Sequence, residues 1–391
     1  MEQAQTERRF LGLPINIAAL GWVSFFQDVS SEMIYPLLPL FLVNVLGAPT
    51  SIVGLIEGIA ESTASLLKVF SGWLSDRTGH RKTWAVAGYG LSALVKPMVA
   101  LARGWPFVLF VRFADRFGKG VRTAPRDALI AASTDQAQRG RAFGFHRAMD
   151  TAGAALGPLL ASGLLLLYNS NYRPVFAWAL VPGLISVAIL IIFVREVREA
   201  EGERREPPRL SLKPFSRTYK LFLLVTVLFT LGNSSDAFLV LRAQNLGVPP
   251  AAIPLVWLLF NVVYSLVSTP AGILSDRIGR KRVMVSGYLV FALVYLGFAL
   301  AGAAWEVWGL FVVYGVYYGV TEGVARAFAA DLVPGHLRGT AFGVYHTLTG
   351  LALLPASLIA GWLWQSFTPA APFAFGAVLS SVAAVLLAAL L

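Results

Sequence analysis

The sequence has no cysteine and few charged residues for its length. Of its 391 residues only 14% are Asp, Glu, Lys or Arg, whereas 57% are hydrophobic, and the mean hydropathy is +0.67. The lack of cysteine excludes a disulfide framework and a thiolate metal site. A soluble protein of this size needs far more polar surface, so the composition predicts a membrane protein.

Long apolar segments recur along the whole chain. A membrane-spanning helix needs roughly 20 apolar residues, and twelve such segments can be placed. They cover 15–46, 50–75, 83–102, 106–132, 142–167, 174–194, 219–243, 251–275, 283–303, 307–332, 341–364 and 371–391. The first lacks the cleavage site of a signal peptide, so we expect it to be retained. The predicted fold class is an all-α membrane protein with twelve transmembrane helices.

The basic residues are unevenly distributed. The formal net charge is +11, and most Lys and Arg fall in the N-terminus (1–14) and in the loops after even-numbered segments. Only Arg103, Arg173 and Arg242 fall in the opposite loops. This asymmetry follows the positive-inside rule and predicts a cytoplasmic N-terminus, with no nucleic-acid partner. We expect a multi-pass protein of a bacterial inner membrane.

Two loops repeat almost the same sequence. Residues 72–82 (GWLSDRTGHRK) and 272–282 (GILSDRIGRKR) each lie between two apolar segments, and RGRAFG at 139–144 parallels RGTAFG at 338–343. The repeats predict two homologous six-helix bundles, 15–194 and 221–391, joined by a polar cytoplasmic linker at 195–220. Parallel repeats of this kind are typical of transporters that bind substrate between their halves.

Charged side chains inside the segments follow single helical faces. Charges in lipid cost at least a few kcal/mol each, so they normally face a cavity or a partner. Candidate cavity residues in the two halves are Gln27, Arg112, Arg116, Lys119, Arg147, Asp150, Asn233, Asp236, Asn261, Glu322 and Arg326. Glu322 and Arg326 are four residues apart, so a simple mutual ion pair is the alternative for these two.

Acidic residues of the N-terminal half are candidates for proton coupling: Asp28, Glu32, Glu57, Glu61 and Asp115. Asp28 and Glu32 lie one turn apart, just before Pro36 and Pro39, which bend a helix and free its carbonyls. Two close carboxylates disfavour double ionisation, so one can load and unload a proton. The alternative is that both are permanently paired with arginines of the fourth segment.

The loop pattern Gly-x-Leu-x-Asp-Arg-x-Gly, followed by basic residues, resembles the signature cytoplasmic loop of the major facilitator superfamily. With two halves and a central linker, the resemblance covers essentially the whole chain and implies alternating access. It also implies a conformational latch formed by Gly72, Asp76, Arg77, Gly79, Arg81, Asp276 and Arg277. The sequence GAALGP at 153–158 resembles a signature of proton-exchanging exporters, which implies a helix-five bend at Gly153, Gly157 and Pro158.

These features predict a secondary transporter. No nucleotide-binding loop, nucleophile elbow or metal-ligand cluster is visible, so we expect no enzyme activity and no cofactor. We expect a proton-coupled exporter (antiporter) of a small polar, anionic or zwitterionic solute, with Arg112 and Lys119 as contacts. The alternatives are a proton-coupled importer, an anion exchanger or a non-transporting membrane sensor. The expected partners are the solute, protons and the lipid bilayer, and the expected state is a monomer.

Overall fold

The computed structural model describes residues 9–10, 13–135, 138–197 and 211–391, of which most are helical. Parts of the predicted N-terminal segment (1–14) and of the linker (195–220) lie outside the described residues. Before the first helix, β1 (Arg9–Phe10) and β2 (Leu13–Pro14) pair antiparallel, with Arg9 opposite Pro14.

The described part of the N-terminal half contains six helical segments. They are α1 (Ile15–Glu32), α2 (Thr50–Thr78), α3 (Arg81–Leu101), α4 (Trp105–Ala132), α5 (Arg139–Leu167) and α6 (Tyr172–Phe193). After an irregular turn, α1 continues as the short helix Leu38–Leu40 and the π-helical turn Phe41–Val45. The last turns of α3, Lys96–Leu101, are a 3₁₀ helix that begins where Pro97 removes a backbone donor.

The described part of the C-terminal half repeats this order. Its segments are α7 (Arg217–Asn245), α8 (Ile253–Ile278), α9 (Arg280–Leu300), α10 (Ala304–Asp331), α11 (Arg338–Ser366) and α12 (Ala371–Leu390). A 3₁₀ turn, Gly335–Leu337, precedes α11. Helix α7 is interrupted between its two parts, Arg217–Gly232 and Ala237–Asn245.

Eight of the described helices are long and apolar enough to cross a membrane, judged by length and composition. They are α3, α5, α6, α7, α8, α9, α11 and α12. The other four carry more charged or hydroxyl-bearing side chains, and α1 is also broken. The all-α membrane class is therefore confirmed, whereas the count of twelve spanning helices stays a prediction.

The two halves meet closely along α2 and α11, and along α5 and α8. Gly54 lets α2 approach α11 because a Cβ atom there would lie 2.2 Å from the Ser357 carbonyl oxygen. Near the same end, the Ser162 hydroxyl donates to the Ala251 carbonyl at 2.7 Å. These contacts lie towards the end of the molecule at which α2 and α8 begin. We call the other end, where α1 and α7 begin, the basic end.

Candidate functional site

A cavity of about 460 Å³ lies between the two halves. A second cavity of about 450 Å³ adjoins it, and the two share Glu61, Lys119, Asn233, Tyr318 and Glu322 in their walls. Together they form a polar space that leads from the middle of the molecule towards the basic end.

Most sequence-predicted cavity residues are brought together around the first of these spaces, here called the central cavity. Its walls include Arg112, Arg116, Lys119, Arg147, Asn233, Asp236, Asn261 and Glu322, and the acids Asp28, Glu32, Glu61 and Asp115. Arg326 lines the adjoining cavity instead. Gln27, Glu57 and Asp150 are not among the residues that line either cavity.

The breaks in α1 and α7 occur at equivalent places in the two halves, and both line the central cavity. In α1 the break covers residues 33–37 and contains Pro36, which has no backbone N–H to donate to a helical hydrogen bond. In α7 the sequence Asn-Ser-Ser-Asp at 233–236 contains no proline, but such side chains compete with the backbone for hydrogen bonds. Paired helix breaks of this kind mark the substrate site in many secondary transporters.

Two arginines of α4 form ion pairs with α2. Arg112 donates from Nε and Nη2 to the two carboxylate oxygens of Glu57, at 3.0 and 2.7 Å. Both residues are buried, with 5% and 1% of their surface exposed. Arg116 lies 3.1 Å from the Glu61 carboxylate, and Asp115 lies 3.6 Å from Arg112. The charges of Arg112 and Arg116 are therefore compensated by acids of α2.

The two acids of α1 have different surroundings from those of α2. Glu32 accepts a hydrogen bond from the Trp257 indole nitrogen at 2.7 Å, which links α1 to α8 across the two halves. Asp28 lines the central cavity and makes no hydrogen bond or ion pair with the described residues. Among the described contacts neither acid is paired with an arginine of α4, so the static pairing allowed by the sequence is not observed.

Further bases are held by neutral groups next to α1. The Lys96 ammonium donates to the Ser31 hydroxyl at 2.8 Å. With its amide oxygen turned towards them, Gln27 accepts from Arg122 at 2.8 Å and from Lys96 at 3.0 Å. The Arg122 guanidinium also lies 4.4 Å from the centre of the Tyr89 ring. These contacts explain how Lys96 and Arg122, which are buried bases of the cavity wall, are accommodated without an ion pair among the described residues.

A second polar link joins the halves nearer the basic end. Arg147 on α5 donates to the Tyr264 hydroxyl on α8, and this hydroxyl in turn donates to Glu322 on α10. Glu322 also accepts from Arg326 at 2.5 Å, so the simple ion pair allowed by the sequence is present. Arg147 lies 3.8 Å from Asp150 and 4.0 Å from Glu322.

Asp236 is the acid contributed by the α7 break. Its carboxylate accepts hydrogen bonds from the hydroxyls of Tyr314 at 2.5 Å and Tyr318 at 3.4 Å. No base contacts it among the described residues, whereas each acid of α2 that faces α4 has an arginine. Asn233, in the same break, donates to the Tyr317 hydroxyl at 3.4 Å.

The aromatic side of the cavity was missed by sequence reasoning. Trp257, Phe260 and Tyr264 line it from α8, and Tyr318 lines it from α10. Their rings are in continuous contact, with centroids 4.8 Å apart for Trp257–Phe260 and 5.2 Å for Phe260–Tyr318. The spacing of three and four residues along α8 was the available signal, but in an apolar helix it resembles ordinary core packing.

Helices α1 and α5 pack closely at the two α1 acids. A Cβ atom on Gly153 would lie 2.4 Å from the Phe25 carbonyl oxygen, and one on Gly157 would lie 2.7 Å from the Glu32 Cβ atom. Both glycines are therefore required by the close approach of the two helices. Helix α5 stays continuous through Pro158.

Residues of the expected latch lie where α2 and α8 end. Gly79 ends α2 in a left-handed conformation (φ 67°), which glycine adopts without strain. Arg77 lies over the Trp73 ring at 5.5 Å, and the side chain of Asp76 lies outside the described residues. In the second copy, Asp276 lies 3.3 Å from Arg280, which also pairs with Asp331 on α10. The latch role stays a prediction.

Two pseudo-symmetric helical bundles around a charged central cavity define a membrane transporter of two repeated halves. The model of the Major Facilitator Superfamily matches residues 20–242 and 221–391. An uncharacterized MFS-type transporter of Methanocaldococcus jannaschii is 38% identical over 95% of this chain and 94% of that protein. The chain therefore belongs to the major facilitator superfamily.

The chain is also similar to more distant proteins, in sequence or in structure. The multidrug resistance protein MdtG of Citrobacter koseri is 26% identical over 75% of this chain and 73% of that protein. The crystal structure of the nucleoside transporter NupG superposes with a TM-score of 0.79 at 15% identity, covering 95% of this chain and 99% of that one. This structural match shows the fold alone.

Proposed function

We propose that the protein is a proton-coupled secondary transporter that exports a small polar, anionic or zwitterionic solute by alternating access. The single observation that carries this proposal is the central cavity, which both halves line with charged side chains at their helix breaks. A relative named for multidrug resistance supports export rather than import.

Asp28 is the proposed proton carrier. It faces the cavity without an ion-pair partner among the described residues, whereas Glu57 and Glu61 are each held by an arginine. A carboxylate that lacks a fixed counter-ion can exchange its charge for a proton when the cavity changes its exposure to water. Glu32, whose partner lies on the other half, would communicate that change to α8.

The proposed setting is a bacterial inner membrane, with the N-terminus in the cytoplasm and the chain acting as a monomer. The excess of Lys and Arg in loops at the basic end supports this orientation. In that orientation, the close contacts between the halves lie on the far side of the membrane and the cavity leads to the cytoplasm. The structure would then represent an inward-facing state.

Metabolite comparison and reconstituted flux test this proposal together. Cells that lack the protein should accumulate the exported solute relative to cells that produce it. The solute identified in this way should cross proteoliposome membranes faster when a pH gradient is imposed. Binding without any flux would favour a sensor, and accumulation of the solute in producing cells would favour an importer.

A further inference from the structure

Charged side chains that make no ion pair with the described residues line the central cavity from both halves. Those of the N-terminal half are Asp28, Glu32, Lys96, Lys119 and Arg122, and that of the C-terminal half is Asp236. Lys119 on α4 is an exposed base of the wall, and its ammonium group makes no hydrogen bond or ion pair with the described residues. Across the cavity, Asp236 receives tyrosine hydroxyls but no base among the described residues. One cationic and one anionic group therefore face the same space from opposite halves.

An apolar surface runs alongside these two groups. Trp257, Phe260 and Tyr264 present successive rings on α8, and Tyr318 joins them from α10, next to Asp236. Aromatic faces of this kind favour planar rings through stacked or edge-to-face contacts. The cavity volume of about 460 Å³ falls within the range of small-molecule binding sites.

We propose that the transported solute is an aromatic zwitterion, whose carboxylate meets Lys119 and whose ammonium group meets Asp236. The ring lies against the aromatic surface of α8 and α10. A solute with this pattern compensates the charges of Lys119 and Asp236 and touches both halves, so binding it favours their closure around it. This inference rests on the proposed transport function and assigns the chemical class of its cargo.

Four small probes separate the three parts of this pattern. Phenylalanine carries the ring and both charges, phenethylamine lacks the carboxylate, 3-phenylpropionate lacks the ammonium group, and leucine lacks the ring. Equilibrium binding to the purified full-length protein in detergent should rank phenylalanine first. Each probe that lacks one charged group loses a hydrogen bond to a charged side chain. Its affinity should therefore be about tenfold to a hundredfold lower than that of phenylalanine.

Two neutral variants assign the charges to their residues. Lys119→Gln should weaken phenylalanine and 3-phenylpropionate by about tenfold or more while leaving phenethylamine nearly unchanged. Asp236→Asn should weaken phenylalanine and phenethylamine while leaving 3-phenylpropionate nearly unchanged. Lys220→Gln and Asp135→Asn are matched controls, because both residues are exposed and lie outside the cavity. An unchanged elution volume and melting temperature would show that each variant is folded.

The proposal is overturned if phenethylamine, 3-phenylpropionate or leucine binds as tightly as phenylalanine. It is also overturned if the two variants weaken all four probes alike, or if none of the probes binds in the millimolar range. These results are independent of the transport test, since equilibrium binding needs neither a membrane nor a pH gradient. Probe-selective binding without gradient-driven flux would refute the proposal of proton-coupled transport and leave the chemical class of the bound ligand standing.

Discussion

The buried pair between Arg112 and Glu57 allows a quantitative prediction. Arg112→Met leaves the Glu57 carboxylate uncompensated in a site where it is 1% exposed, and it also removes a base that lies 3.6 Å from Asp115. Breaking a buried pair in this way typically costs about 3–5 kcal/mol of unfolding free energy. Glu57→Gln should cost less, because Arg112 keeps Asp115 as a neighbour and can still donate to the amide oxygen.

The measurement is a double-mutant cycle in mixed micelles, with the free energy of unfolding obtained by titration of a denaturing detergent. Because the two side chains share hydrogen bonds, the double variant Arg112→Met/Glu57→Gln should cost about 0.5–3 kcal/mol less than the sum of the single variants. Arg217→Met, at an exposed arginine, should stay within about 0.5 kcal/mol of the parent. Strict additivity, or single variants no worse than Arg217→Met, would refute the pair as described.

Two further predictions concern helix packing and the latch. Gly157→Ala places a methyl group 2.7 Å from the Glu32 Cβ atom, so it should lower the unfolding free energy by about 1–3 kcal/mol. Gly163→Ala is the control, because a Cβ atom there meets open space and should not destabilise the protein. Equal unfolding free energies for the two variants would contradict the α1–α5 contact. Asp76→Asn should slow turnover and shift the populations of the inward-open and outward-open states, measured as spin-label distances across the basic end. Unchanged distances would mean that the loop only sets the membrane topology.

The sequence could predict which side chains of α4 face inward but not what they contact. A helical period of 100° per residue puts Arg112, Arg116 and Lys119 on one face, and charges in a membrane protein turn away from lipid. Their partners depend on how α2 packs against α4, which no local pattern encodes. In the structure Arg112 pairs with Glu57 and Arg116 pairs with Glu61, whereas Lys119 has no ion pair with any residue that the structure describes.

The helix breaks were also only partly predictable from the sequence. Pro36 and Pro39 predict the break in α1, because proline has no backbone N–H to donate to the helical hydrogen bonds. The break in α7 has no proline, so Asn233 and Asp236 were identified as polar candidates without any sign that the helix stops there. Comparison of the repeats gives the missing signal, since the two breaks occupy equivalent positions in the two halves.

Proton-driven flux through the Asp28 variant is the most direct test of the central claim. With Asp28→Asn in proteoliposomes, the account predicts that transport of the solute driven by a pH gradient is lost, while exchange of labelled for unlabelled solute without a gradient persists. That result would separate coupling from binding, because only the proton-carrying group has been removed. Undiminished gradient-driven transport by Asp28→Asn would contradict the assignment of the proton to Asp28. The same result for Glu32→Gln and for the double variant would contradict any role of the two α1 acids in coupling.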